Sequence, residues 1–366
     1  MLATYQPYKL QFKNPVLTSR GSMTHKYGYY LIVEKDGIKG IGECSYINGL
    51  SIDDLHGYEA KLQEVCRDIQ EIADDYYAEE IFPEGILSRY PSIAFAIETA
   101  LLDLRNGGRH KIIRDSAFYA GEQDIPINGL VWMGSNAYMR EQIAQKLAEG
   151  SRCIKIKVGA IGFDEECRLI ESIRKQYTPE EIEIRLDANG AFTESNVRDK
   201  LTRLSAYHIH SIEQPIKPQQ YLLMHQLCRE CIIPIALDEE LIGTYDPRIK
   251  AKLLETIMPQ YIILKPSLLG GMRACDEWIA IAGRLGISWW ATSALESNIG
   301  LNAIAQWVAA AAVSPLPLGE GVGVSAQGLG TGTLYTDNVT SPLYIDKGHL
   351  KYDLKGKWSD ISLHTL

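Results

Sequence analysis

The chain has 366 residues and no run approaching the roughly 18 consecutive apolar residues that a membrane span requires. Its most apolar stretch, AIAQWVAAAAV at 303–313, is short and alanine-rich, as in a packed helix. The opening MLATYQPYKLQFKNPVL has no basic segment leading into an apolar one, so no secretory signal is read there. Positive charge is not in excess. The net charge of −9, spread along the chain, argues against nucleic acid or an anionic membrane as the main partner. No G-x-G-x-x-G follows the first strand of the central region, and the Gly-rich GEGVGVSAQGLGTG at 319–332 lacks the Gly-Lys-Ser/Thr of a phosphate loop. Seven cysteines, an odd number without framework spacing, suit a reducing cytoplasm. Cys228 and Cys231 form a lone C-x-x-C with no second pair at zinc spacing, and read as two semi-buried thiols.

What is present is a long globular chain, 46% hydrophobic and 23% charged, larger than one ordinary core. Residues 1–122 read as a small α+β module. YGYYLIVE at 27–34 and IKGIG at 38–42 flank Lys35-Asp36-Gly37, an Asp-Gly hairpin signal, and helical stretches follow at about 53–75 and 91–106. From 123 to 318 short apolar strands alternate with amphipathic helices. Strands are placed at 125–131, 153–158, 183–187, 209–213, 233–238, 261–265, 288–292 and, weakly, 316–318. Intervening helices include 136–149, 163–177, 193–206 and 270–285. Eight strands with helical crossovers over ~200 residues predict a (β/α)8 TIM barrel with an α+β capping domain. A doubly wound sheet is the alternative fold. Residues 319–366 are expected to return to the cap.

The informative positions are the last residues of the barrel strands. Lys157, Asp187, Glu213, Asp238 and Lys265 are separated by 30, 26, 25 and 27 residues, each about one βα unit. Five consecutive strands thus end in a charge on the face where barrel active sites are built. Any one of the carboxylates alone is equally well explained by helix capping or pairing with lysine. Three on adjacent strands repel one another unless a cation neutralises them. Asp187, Glu213 and Asp238 offer only oxygen and suit a hard ion such as Mg²⁺, with Mn²⁺ as an alternative.

Lys155 and Lys157 face the same side of their strand, and Lys265 lies across the barrel. A lysine beside a divalent cation and a second ammonium is expected to have a lowered pKa, which makes it a general base near neutral pH. Such a base suits a carboxylate substrate with a weakly acidic α-proton, because the enediolate formed on abstraction places charge where the metal lies. A Lys base with Mg²⁺ holding an enediolate is the arrangement of enolase-superfamily sites.

The chain resembles that superfamily over essentially its whole length, in the muconate-lactonizing subgroup. The subgroup's K-x-K matches Lys155-Ile156-Lys157, its strand-six lysine matches Lys265 in ILKPSLLGG, and its metal ligands match Asp187 in RLDANGAF, Glu213 in IEQP and Asp238 in ALDEE. Within it, RLDANGAF, LKPSLLGG, SALESNIGLNAIAQW and GLGTGTLYTDN are most similar to the o-succinylbenzoate synthase family of menaquinone biosynthesis. The resemblance implies syn-dehydration of 2-succinyl-6-hydroxy-2,4-cyclohexadiene-1-carboxylate to 2-succinylbenzoate through a metal-stabilised enediolate. It implies Lys157 as base and then acid, Lys265 as the cation opposite, and Lys155 as the residue keeping Lys157 poised. Arg185 resembles a pocket arginine and Ser293 is expected to meet the succinyl carboxylate. Their alternatives are an ion pair inside the barrel and an N-cap. Loops 17–24 and 46–53, with Gly21 and Gly49, are expected to cover the site from the cap.

Sister families fit less well. Strand seven, SWWATSALES, has no histidine for a mandelate-type His–Asp pair, and Leu318-Gly319-Glu320 stands where dipeptide epimerases carry Asp-x-Asp. N-succinylamino acid racemases share all five catalytic residues and remain the alternative activity. A non-catalytic ligand-binding barrel would have lost a lysine or a ligand, and a Schiff-base aldolase would form a borohydride-trappable adduct. The expected partner is a small carboxylate substrate, and a homo-oligomer is left open.

Overall fold

The computed structural model describes residues 1–18, 21–53, 56–71, 86–159, 161–311 and 325–361. Three antiparallel strands, Leu2–Thr18, Gly21–Lys35 and Ile38–Cys44, form the cap sheet in chain order. The second hairpin turns through Asp36 and Gly37, both at positive φ (51° and 78°), the type I′ geometry that Asp-Gly favours. The helix Pro91–Arg105 lies against this sheet. Gly40 and Gly42 make the approach possible. A Cβ at either would sit 2.0 Å from Ala100 O or 1.9 Å from Ala96 O. The helix Tyr58–Glu71 completes the described part of the module, and its expected extension to 75 falls outside the described residues.

Seven parallel strands then follow in chain order around a curled sheet: Gly129–Val131, Cys153–Lys157, Glu183–Asp187, Ser211–Glu213, Ile235–Leu237, Tyr261–Leu264 and Ser288–Ala291. Helices including Asn136–Ala148, Phe163–Arg174, Val197–Ser205 and Met272–Arg284 cover it, and one apolar core runs between the two layers. The fold is a (β/α)8-type barrel with a capping domain.

One strand expectation is corrected and one lies outside the described residues, the eighth-strand candidate at 316–318. In the slot between the first and seventh strands, Gln327 and Gly328 bridge Ile127 and Thr292 in parallel. The Gln327 side chain also accepts from Ala291 N at 2.7 Å. The dipeptide-epimerase comparison at 318–320 likewise falls outside the described residues, and Gly328-Leu329-Gly330 follows Gln327 in the slot. The corrected expectation is the start of the first strand: Ile125–Pro126 is not barrel strand. It pairs with His349–Tyr352, which forms a hairpin with Leu343–Asp346 at the N-terminal end of the barrel. The C-terminal segment therefore divides: residues 335–337 contact the cap strand, through the Phe12–Tyr335 bridge and Gln11 N donating to Asp337 at 2.7 Å, whereas the hairpin stays with the barrel.

The cap is joined to the barrel by helix caps supplied across the interface. Glu98, on the cap helix, accepts from Met272 N at 2.6 Å and Arg273 N at 3.0 Å, at the start of Met272–Arg284. Glu43, fully buried at the end of the cap sheet, accepts from Ser297 N, Ser297 Oγ and Gly300 N at 2.8, 2.6 and 2.8 Å, at the start of Asn298–Ala311. Each carboxylate satisfies amide donors that the helix itself leaves open and meets the positive end of its dipole.

All seven cysteines are free thiols. Cys228 is buried, which pushes its thiol up to about 12, and Cys231 is exposed in the left-handed residue ending Tyr221–Glu230. The C-x-x-C is a helix terminus. Among the described residues no helix is long and apolar enough to cross a membrane.

Candidate active site

The parallel register sets the site. Lys157 is level with Asp187 and Asp187 with Glu213, so three neighbouring strands end in adjacent charges. Asp238 and Lys265 each stand one residue beyond their strands, Ile235–Leu237 and Tyr261–Leu264. Lys155, Lys157, Asp187, Asp238 and Lys265 line one cavity beneath the cap, which contributes Val16, Met23, Ile47 and Leu50 to its wall. These cap residues fall in or beside the loops expected to cover the site. Residues 19–20 lie outside the described set.

Charges inside the cavity are paired. Lys157 Nζ donates to Asp187 Oδ2 at 2.9 Å and to Asn189 Oδ1 at 2.8 Å. Lys155 Nζ bridges Asp187 Oδ2, at 3.1 Å, and Glu213 Oε2. Lys265 Nζ donates to Asp238 Oδ2 at 2.5 Å. Burial by itself would raise the Asp187 carboxyl, but the ammonium groups of Lys155 and Lys157 hold it well below the usual carboxylate range. Glu213 goes the other way, raised by burial first and then by the charge of Asp187. Burial depresses Lys155 and Lys265, yet the carboxylates facing them more than offset it, and both are raised.

For the same reason, no group of three His, Cys, Asp or Glu side chains among the described residues stands ready as a cation site. The three expected ligands are adjacent, with oxygens turned to ammonium groups. The donor set itself fits a hard divalent ion. It is all oxygen, and Glu213 Oε1 is buried without a hydrogen-bond partner, a costly state for a carboxylate oxygen that a cation would relieve.

The two expected substrate contacts, Arg185 and Ser293, are both engaged by protein partners. Arg185 is buried and does not line the cavity, although it is level with Lys155, which does. Its guanidinium donates to Glu183 Oε1 (2.6 Å), Ala326 O (2.8 Å) and Ser325 Oγ (2.7 Å) and lies 4.2 Å from the centroid of Trp290. This is the ion pair within the barrel that stood as the alternative for Arg185. Ser293 does line the cavity, but its hydroxyl donates to Glu296 Oε2 at 2.5 Å and accepts from Leu295 N and Thr331 Oγ1. Nor does it cap the next helix, which begins at Asn298.

Asn189, Glu239 and Trp132 escaped sequence reasoning. Asn189, at φ 43°, bonds Lys157 and donates from Nδ2 to Glu239 Oε1 at 3.0 Å. Trp132, after the first strand, places its ring 5.8 Å from Lys157 Nζ. The available signals were the Asn two residues past Asp187 and the doubled acid of ALDEE. Nothing marked Trp132.

Comparison with known proteins places this geometry. The enolase C-terminal domain-like family matches residues 138–356. An o-succinylbenzoate synthase of Desulfotalea psychrophila is 46% identical, over 96% of this chain and 98% of the relative. The crystal structure of MenC from the same organism superposes with a TM-score of 0.82 at 42% identity, covering 96% of this chain and 99% of that one. An N-succinylamino acid racemase of Thermus thermophilus is more distant, 26% identical over 80% of this chain and 77% of the relative. A chain alike from end to end at that first level, with the same barrel and cap, belongs to the o-succinylbenzoate synthase family of the enolase superfamily.

Proposed function

We propose that this chain dehydrates 2-succinyl-6-hydroxy-2,4-cyclohexadiene-1-carboxylate to 2-succinylbenzoate, a carbon–oxygen lyase step of menaquinone biosynthesis. The single observation that carries the reading is the 46% identity to an o-succinylbenzoate synthase over 96% of the chain. The lysine–carboxylate ring at the strand ends supports it.

Asp187, Glu213 and Asp238 would hold a divalent cation, Mg²⁺ or alternatively Mn²⁺. When bound, that cation would neutralise the charge developing on the substrate carboxylate and take over the carboxylate oxygens that otherwise pair with the lysines. Lys157 is the base. Its Nζ takes the α-proton and the electrons of the C–H bond enter the ring system. The ring then expels its hydroxyl from the same face, and Lys157 returns the proton so that water leaves. Lys265 stands on the other side of the cavity as a cation facing the delocalised anion. Lys155, held by Asp187 and Glu213, fixes the charge behind Lys157. Asn189 orients the Lys157 ammonium through its 2.8 Å bond. Free thiols throughout suit a cytoplasmic enzyme.

The test is direct: purified protein with Mg²⁺ and the cyclohexadiene acid should yield 2-succinylbenzoate catalytically. Absence of product from folded, metal-loaded protein overturns the reading.

A further inference from the structure

Glu296 is fully buried and does not line the cavity, yet it collects three donors from the rim of the active site. Oε1 accepts from Ser267 Oγ at 2.5 Å. Oε2 accepts from Ser293 Oγ at 2.5 Å and from Ala294 N at 2.7 Å. Thr331, beyond the eighth slot, donates in turn to Ser293 at 2.8 Å. One carboxylate therefore ties the loop after strand six to the loop after strand seven, and through Ser293 to the segment closing the barrel. Its neighbour Ser297 is held by Glu43 from the cap.

The tether to strand six matters because of what that loop carries. Lys265 is the residue immediately before the short turn Pro266–Leu269, and its carbonyl accepts from Leu268 N and Leu269 N at 2.8 and 3.1 Å. Ser267 is the second residue of the turn. Fixing its hydroxyl fixes the rotation of the turn, and hence where the Lys265 Cα–Cβ bond points. Hydrogen bonds to a buried carboxylate are the strong class and hold such a turn tightly. We propose that Glu296 is a positioning residue for the dehydration: through Ser267 it sets the direction of Lys265 across the cavity from Lys157. The inference rests on the proposed reaction and adds to it a residue that touches no substrate.

Ser267→Ala cuts only this tether and leaves the other two bonds of Glu296 in place. Glu296→Gln keeps the volume but replaces one of the two acceptor oxygens with a donor, so the Ser267 side and the Ser293–Ala294 side can no longer both be held as acceptor bonds. In both variants kcat for the dehydration is expected to fall roughly ten- to a hundred-fold, the scale of a small misplacement of a reacting group. KM and Mg²⁺ affinity should stay within about threefold of wild type, because uniform binding is untouched. A merely structural role would lower the unfolding temperature without this split. If Glu296→Gln does not fold, Ser267→Ala decides alone. Wild-type kcat in folded Ser267→Ala, or a loss carried by KM or by metal affinity, overturns the inference. A wild-type protein inactive on the cyclohexadiene acid overturns the assigned reaction and this inference with it, whereas an active wild type with an unaffected Ser267→Ala overturns the inference alone.

Discussion

Lys265 Nζ donates to Asp238 Oδ2 at 2.5 Å, and both residues follow directly on their strands. A residue expected to work as a free cation and a residue expected to bind metal are thus each other's partner. Lys157 and Asp187 repeat the arrangement on the opposite side. The lysines stand where a divalent ion's charge is needed, which keeps converging carboxylates from repelling one another. Competition between ammonium and metal follows from it.

Removing metal should therefore abolish turnover without unfolding the protein. EDTA is expected to eliminate activity, Mg²⁺ or Mn²⁺ to restore it, and Mg²⁺ to raise the unfolding temperature in proportion to its occupancy. Asp187→Asn, Glu213→Gln and Asp238→Asn should each weaken Mg²⁺ binding in calorimetry. Full activity of the metal-free protein would remove the basis for the site assignment.

Stability should depend on pH through Asp53, at the end of the loop that covers the site. Asp53 Oδ2 accepts from Ser92 N at 2.7 Å at the start of Pro91–Arg105, and burial pushes its carboxyl up from 3.8 to about 6. A raised carboxyl binds its proton more tightly in the folded than in the unfolded chain. Its contribution is fully present below 3.8 and is lost as pH rises through about 6. Relative to Asp53→Asn, wild type should lose roughly 2 kcal/mol between pH 4 and pH 8. Urea titrations of both proteins across that range measure the difference. A constant difference, or one that grows in favour of wild type, contradicts this.

How much could be read beforehand follows from which interactions are local. The five charged strand ends were legible because a parallel barrel repeats at one βα unit, and the Asp36-Gly37 turn because only such residues take two positive φ values in succession. The strand Leu2–Thr18 was missed. Its alternation is broken at Pro7 and by a register shift between Gln11 and Val16. The bridges of Gln327-Gly328 were not legible because that pair lacks strand composition. Arg185 was assigned from its strand face, and its guanidinium is engaged by Glu183 and Trp290, partners that the strand face alone does not announce. The carboxylates of Glu43 and Glu98 cap helices about 254 and 174 residues away, and no sequence pattern announces partners so distant.

On substrate choice, kcat/KM for the cyclohexadiene acid should exceed that for racemising any N-succinylamino acid. Both reactions begin with the same proton abstraction, so the comparison isolates how the cavity holds the rest of the molecule. Steady-state kinetics on the two substrates decides it. The opposite ranking would place the chain's activity with the racemases despite the higher identity to the synthase.

The two sides of the barrel should respond differently to arginine. If Lys157 alone moves protons in a syn elimination, Lys157→Ala removes the general acid–base, worth ~10²–10⁴-fold in rate. Lys265→Ala should also be severely impaired, through loss of a cation rather than of a proton carrier. Arginine keeps the charge but cannot serve as a base at neutral pH. Lys265→Arg is therefore expected to recover part of the dehydration and Lys157→Arg none. The guanidinium is bulkier, and Asp238 lies within 2.5 Å of the lysine it replaces, so a crystal structure of Lys265→Arg must accompany the rates. With a racemisable substrate in D₂O, Lys265→Arg should stop α-proton exchange from one enantiomer while Lys157 still exchanges the other. Equal losses on arginine substitution at both positions, in folded protein, would mean that the lysines share the proton transfers and that the division of labour drawn from their opposite placement is wrong.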